Sequence, residues 1–205
     1  MSPTRPTLVL ASRSPRRREL LERLGLHHIV EAADIDETPL AGESPRNHVR
    51  RLARAKCETV ATRYASDVIV LAADTTVDVD GEIFGTPQDL QQARAMLQRL
   101  SGRTHLVHTA VCVSRGSSDA KAPPSSQCEL DTASVTMVPI DPDLLERYLA
   151  TGESLDKAGA YAVQGEAAAF VASVNGHITT VIGLPVRLVG RLLTPLGLPP
   201  ARAYP

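Results

Sequence analysis

The first apolar run of this chain, Leu8-Val9-Leu10-Ala11, stops at Ser12-Arg13-Ser14-Pro15-Arg16-Arg17-Arg18, and this junction constrains the fold more than any other stretch. The run suits a buried strand. Ser14 followed by Pro15 is an N-cap with proline at the first helical position, so a helix is expected to begin there, carry Leu20, Leu21 and Leu24 inward, and stop at Gly25. A strand that leads straight into a helix start leaves unpaired N–H groups and the positive end of the helix dipole facing outward. Such a place binds anions. Arg16 and Arg17 add planar forks that can grip phosphate oxygens, and the Ser12 and Ser14 hydroxyls can donate to the same oxygens. The alternative is a solvated basic turn.

Later segments alternate in character. Ser44-Pro45 opens a second helix through Val49, Leu52, Ala53, Lys56 and Val60 to about Tyr64. Asp67 to Asp74 reads as a buried strand, and Val77 to Phe84 as a hairpin around Asp80-Gly81. Leu90 to Leu100 has helical spacing, and Thr104 to Val113 alternates like a strand. The polar stretch from Ser114 to Gln127 is expected to be a flexible surface loop. Glu129 to Val138 reads as a strand, Pro142 to Leu149 as a helix, and Ala168 to Val174 as a strand. Asn175-Gly176 then predicts a hairpin with Thr179 to Ile182 as its return, before a last helix from Pro185 to Leu193. Mixed order with hairpins points to an α/β fold on a mixed sheet.

Composition excludes several functions. A formal net charge of −1 lacks the basic excess of a duplex-binding surface. Four Tyr, two Phe and no Trp leave little to stack on single strands. No apolar run approaches the about 18 residues of a membrane span. Cys57, Cys112 and Cys128 lie far apart without metal-type spacing, which predicts free buried thiols, no disulfide framework and a cytoplasmic protein.

Three places could carry chemistry. Asp74, at the expected end of a buried strand, is either a ligand-binding acid or a cap. Asp36-Glu37 could supply a metal ligand or be an exposed acidic pair. The stretch from Gly152 to Gly165, which holds Asp156, Lys157 and Gln164, is unsuited to regular helix and reads as a contact loop. The six histidines form no metal motif, and His105 and His108 on one strand point to opposite faces. There is no nucleophile elbow, P-loop or dinucleotide fingerprint, so Ser12 and Ser14 are better ligand donors than nucleophiles.

Five ordered blocks resemble the Maf family of nucleoside triphosphate pyrophosphatases. They are Leu10-Ala11-Ser12-Arg13-Ser14-Pro15-Arg16-Arg17, Ala73-Asp74-Thr75, Leu100-Ser101-Gly102-Arg103-Thr104-His105, Asp156 to Tyr161 with Gln164-Gly165, and Val181-Ile182-Gly183-Leu184-Pro185. The resemblance implies a single ITPase-like domain over residues 1–205, a mixed sheet with flanking helices and two lobes around a central cleft, often a homodimer. It implies the conversion of a nucleoside triphosphate and water to a monophosphate and pyrophosphate. Asp74 then matches the acid that activates water or holds a divalent metal, Mg²⁺ or Mn²⁺, while Glu37 and Lys56 match further active-site positions and Glu37 shares the metal. Ser12, Ser14, Arg16, Arg17, Asp156 and Lys157 match substrate contacts. Arg16, Thr75 and Gln164 match base-selecting positions, and Gln164-Gly165 resembles the dTTP/UTP branch. The chain departs from the pattern at Gly85-Thr86-Pro87, where relatives usually carry Gly-Lys-Pro, at Gly165-Glu166-Ala167-Ala168 and at His177-Ile178. The family's name also reflects an alternative role, a nucleotide-binding regulator of septum formation with little turnover.

Overall fold

A computed structural model describes residues 6–117 and 124–203. Seven strands form one mixed sheet. β1 (Thr7–Leu10) lies between the two-residue edge strand β2 (Ile29–Val30) and β3 (Val68–Val79), parallel to both. β4 (Glu82–Phe84), β5 (Thr104–Arg115), β6 (Ser126–Met137) and β7 (Val171–Asn175) are all paired antiparallel, giving the order β2-β1-β3-β5-β6-β7 with β4 on β3. The mixed α/β sheet expected from the sequence is therefore the architecture found.

Alternation along β3 decides which helix covers which face. Val70 and Ala72 pack with Val9, Ala110 and Cys112 beneath α2 (Pro45–Ala61). Ile69, Leu71 and Ala73 point the other way, toward α1 (Pro15–Arg23) and α6 (Val186–Leu193). Farther along that second face, Val77, Val107 and Val135 meet α3 (Leu90–Leu100), α4 (Pro142–Ala150), Tyr161 and Phe170. Ser44, Asp89 and Asp141 cap α2, α3 and α4 through backbone N–H groups, which fixes where these helices start. Among the described residues no helix is long and apolar enough to cross a membrane.

Four sequence expectations are corrected. Asp74 does not end a strand: β3 continues through it to Val79, because β5 pairs with β3 over Ile69 to Asp78 without a break. Thr179 to Ile182 is not a return strand but most of a short helix, α5 (Ile178–Ile182), although its β-branched residues favour strand. Gly183, at φ 110°, ends that helix, and the buried Thr179 accepts from the N–H of Val186 through its hydroxyl, a tertiary bond that overrides propensity. The strand expected from Ala168 begins only at Val171, after a 3-10 turn over Glu166–Phe170.

The fourth correction concerns cysteine. Cys112 and Cys128 face each other in the β5–β6 register and form a disulfide, while Cys57 stays free and buried as expected. Sequence spacing carries no trace of that pairing, which the hairpin register creates. The hairpin strands also claim the ends of the polar segment expected to be a loop, up to Arg115 and from Ser126 onward. Its middle, residues 118–123, lies outside the described residues.

Candidate active site

The cleft arises from a gap in strand pairing. One edge of β3 is taken by β1 over Val68 to Leu71 and by β4 over Val77 to Val79. Between them Asp74 and Thr75 lie where neither strand pairs, and although they point to opposite faces both line the same cavity. Asp74 therefore sits within its strand, beside the opening that the gap in pairing leaves.

Asp74 is 6% exposed. Its Oδ1 accepts from Lys56 Nζ at 2.7 Å, and the same ammonium lies 2.9 Å from Glu37 Oε1. Lys56 reaches the cleft from α2, whereas Glu37 is half exposed on the connection after β2. Burial pushes the Asp74 carboxyl above the usual carboxylate range, and the Lys56 and Arg17 charges pull partly against it. A buried acid raised in this way and open to a cleft is the kind of group that exchanges protons.

The β1–α1 junction forms the second wall. Ser14 occupies the N-cap with Pro15 at the first helical position, yet its side chain makes no capping bond, and its N–H donates instead to Ser12 Oγ at 3.2 Å. Arg17 is anchored inward. Its Nε donates to the Gly183 carbonyl at 2.8 Å, its Nη1 to Ser12 Oγ at 3.1 Å and its Nη2 to Thr75 Oγ1 at 3.2 Å. Burial lowers its pKa from the ordinary guanidinium value. Arg16 is looser, with Nη2 3.5 Å from the Asp156 carbonyl and Nη1 3.7 Å from Asp156 Oδ2.

The 152–165 stretch supplies the third wall as consecutive 3-10 turns. Lys157 is buried and donates to the Glu153 carbonyl and to Asp156 Oδ1, both at 2.5 Å. Gln164 lines the same cavity. It precedes Gly165, which at φ 101° packs against the Glu153 carboxylate so closely that a Cβ would stand 2.7 Å from Oε1. Only glycine fits there without displacing Glu153.

The structure brings every sequence-predicted site residue together. All but Ser12 line one cavity. Ser12 lines an adjoining one that shares Glu37 and Lys56. Sequence reasoning did not single out Thr109, which is fully buried behind Thr75, or Tyr161 on the cavity wall. A polar Thr109 between Val107 and Val111, on the inward phase of an apolar strand, was the available signal.

Asp74 and Glu37 converge on one point through Lys56, and two carboxylates are the usual protein share of a Mg²⁺ site that phosphates complete. The described residues contain no group of three or more His, Cys, Asp or Glu placed to hold a metal without such help.

Several known proteins resemble this chain. A dTTP/UTP pyrophosphatase of Anaeromyxobacter dehalogenans strain 2CP-1 is 47% identical over 197 residues, covering 95% of this chain and 96% of its own. One of Myxococcus xanthus strain DK1622 is 47% identical over 199 residues, covering 97% of each chain. Among solved structures, the Staphylococcus aureus Ham1 protein matches with a TM-score of 0.48 at 15% identity, over 93% of this chain and 99% of that one. The Maf-like protein family matches residues 7–196, and the chain belongs to that family.

Proposed function

We propose that this chain is a nucleoside triphosphate pyrophosphatase that converts dTTP and UTP to the monophosphate and pyrophosphate, clearing normal or modified pyrimidine nucleotides from the nucleotide pool. The observation that carries the reading is the buried Asp74, raised toward basicity and held by Lys56 beside Glu37, in a cleft walled by Arg16 and Lys157. Full-length relatives named dTTP/UTP pyrophosphatases support the substrate.

Water attack on the α-phosphorus has to remove a proton from the water and to neutralise charge building on the phosphate oxygens. Asp74 takes the proton, since a carboxylate whose pKa is raised is a stronger base than an ordinary one. Arg16, held among the described residues only by Asp156, and Lys157, held by Asp156 and the Glu153 carbonyl, turn to the phosphate chain. Lys56 holds Asp74 in place and stabilises its ionised form. Asp74 and Glu37 would hold Mg²⁺ or Mn²⁺, which supplies further neutralisation of phosphate charge when bound. Gln164 carries a donor that can meet O4 of uracil or thymine and an acceptor that can share the neighbouring N3–H. The homodimer implied by the family is part of the same proposal.

The test is product analysis across a panel of normal and modified triphosphates with Mg²⁺ or Mn²⁺. UTP and dTTP are expected to give monophosphate and pyrophosphate, with loss of turnover on chelation and in Asp74→Asn. Release of orthophosphate alone, or full turnover by Asp74→Asn, would overturn the assignment.

A further inference from the structure

Thr75, Thr109 and Asp131 are direct cross-strand neighbours on β3, β5 and β6, so their side chains stand in a row on one face of the sheet. Their hydrogen bonds have only one possible polarity. The Thr109 hydroxyl carries one proton and gives it to the Thr180 carbonyl at 2.7 Å, because a carbonyl only accepts. In the 2.9 Å contact between Thr75 Oγ1 and Thr109 Oγ1, therefore, Thr75 donates and Thr109 accepts. Arg17 Nη2, which can only donate, meets the same Thr75 oxygen and fits that polarity. Thr180 is itself pinned, its hydroxyl donating to Asp131 Oδ2 at 2.6 Å. Thr109 and Thr180 are both fully buried, so water does not offer either of them another partner.

The consequence falls on the cleft, where Thr75 is partly exposed. With its only proton committed inward and one lone pair taken by Arg17, Thr75 presents a single lone pair to a ligand. Ionised phosphate oxygens have no proton to give it, so this part of the wall does not suit the triphosphate. A ring N–H does suit it. Uracil and thymine carry a proton on N3, whereas cytosine has a bare acceptor at the same ring position. We infer that Thr109 is a specificity-positioning residue, which fixes Thr75 as an acceptor and thereby favours bases with an N3–H. The inference rests on the pyrimidine triphosphate pyrophosphatase reading above and deepens it.

The test measures kcat/KM, and affinity by calorimetry, for UTP, CTP and N3-methyl-UTP. Wild type is expected to prefer UTP over both others by about tenfold, the size of one net hydrogen bond. Thr109→Val keeps the shape but lets the Thr75 hydroxyl turn, so the UTP-to-CTP ratio should fall about tenfold toward unity. Thr109→Ser keeps the hydroxyl and should restore the ratio, which a purely structural role for Thr109 would not require. A folded Thr109→Val that loses rate equally on UTP and CTP overturns the inference. So does a wild type that treats N3-methyl-UTP or CTP like UTP, and that comparison stands whether or not the valine variant folds. If no triphosphate is cleaved, the pyrophosphatase reading falls, and the affinities alone decide whether Thr75 selects the N3–H.

Discussion

Lys56 Nζ stands 2.7 Å from Asp74 Oδ1, so a cation from α2 holds in its ionised form a carboxyl that burial drives toward protonation. The balance between these two effects sets where the acid works. If Asp74 is the base, activity is lost as pH falls through its folded pKa, which lies above the usual carboxylate range. Lys56→Gln removes the charge and retains a hydrogen-bond donor. The acidic limb of the kcat/KM profile should then move to higher pH, because the opposing Coulombic contribution is gone. A limb that stays in place in this variant would show that another group limits the rate.

The same burial implies a stability cost with a definite sign. The folded Asp74 pKa lies above the ordinary 3.8, so between those two values the native chain holds a proton that the unfolded chain has released. Stability therefore falls as pH rises through that window, and the loss persists at neutral pH. Asp74→Asn is expected to abolish turnover while raising the melting temperature by a few degrees at pH 8, with no gain at pH 3.5. Thermal scans at the two pH values check this.

How much of this site was legible in sequence depended on how local its causes are. The β1–α1 junction was readable because a serine, a proline and a leucine spacing act within one or two turns. The 152–165 loop was readable because glycines and charges there oppose regular structure. Where Asp74 sits along its strand was not readable, since β3 continues only because β5 runs beside it. The α5 helix was hidden for a similar reason: the Ile178–Ile182 run favours strand, and only contacts with Asp131 and Val186 show why it coils. Polarity along Thr75, Thr109 and Thr180 requires three elements to meet, which no sequence window contains.

Thr86 lines both the Asp74 cavity and its neighbour, along with Glu37, Asp74 and Thr75, where the family resemblance implies a lysine. A threonine there offers a hydroxyl and no charge. Thr86→Lys should lower KM for UTP by roughly tenfold, about 1.4 kcal/mol, as one charge-assisted phosphate contact is added. The KM of the variant should also rise more steeply with salt than that of wild type. Steady-state kinetics at two ionic strengths measure both effects.

Arg17 is more a strut than a free cation, since its guanidinium ties Ser12, Thr75 and Gly183 together. Lysine keeps the charge but cannot reproduce that planar fork. Arg17→Lys is expected to cost about 2 kcal/mol of stability through orphaned acceptors and to blunt nucleotide selectivity by releasing Thr75. Urea denaturation reads the first effect and the UTP-to-CTP ratio the second. A variant with wild-type midpoint and selectivity would return Arg17 to a purely electrostatic role.

The Cys112–Cys128 disulfide joins positions 16 residues apart on the two strands of the β5–β6 hairpin. A cross-link of that span restricts the unfolded chain by about 3 kcal/mol in the loop-entropy account. Both cysteines lie on the α2 face of the sheet, away from the wall built by Thr75 and Thr109, so reduction should loosen the hairpin more than it alters the cleft. Reductant is therefore expected to lower the urea midpoint of wild type and leave kcat/KM nearly unchanged. The Cys112→Ala/Cys128→Ala double variant should already have the lowered midpoint and show no further response. Thiol titration of the denatured, unreduced chain should find Cys57 alone reactive. Three reactive thiols, together with a midpoint that ignores reductant, would mean that the pair faces across the strands without a covalent bond.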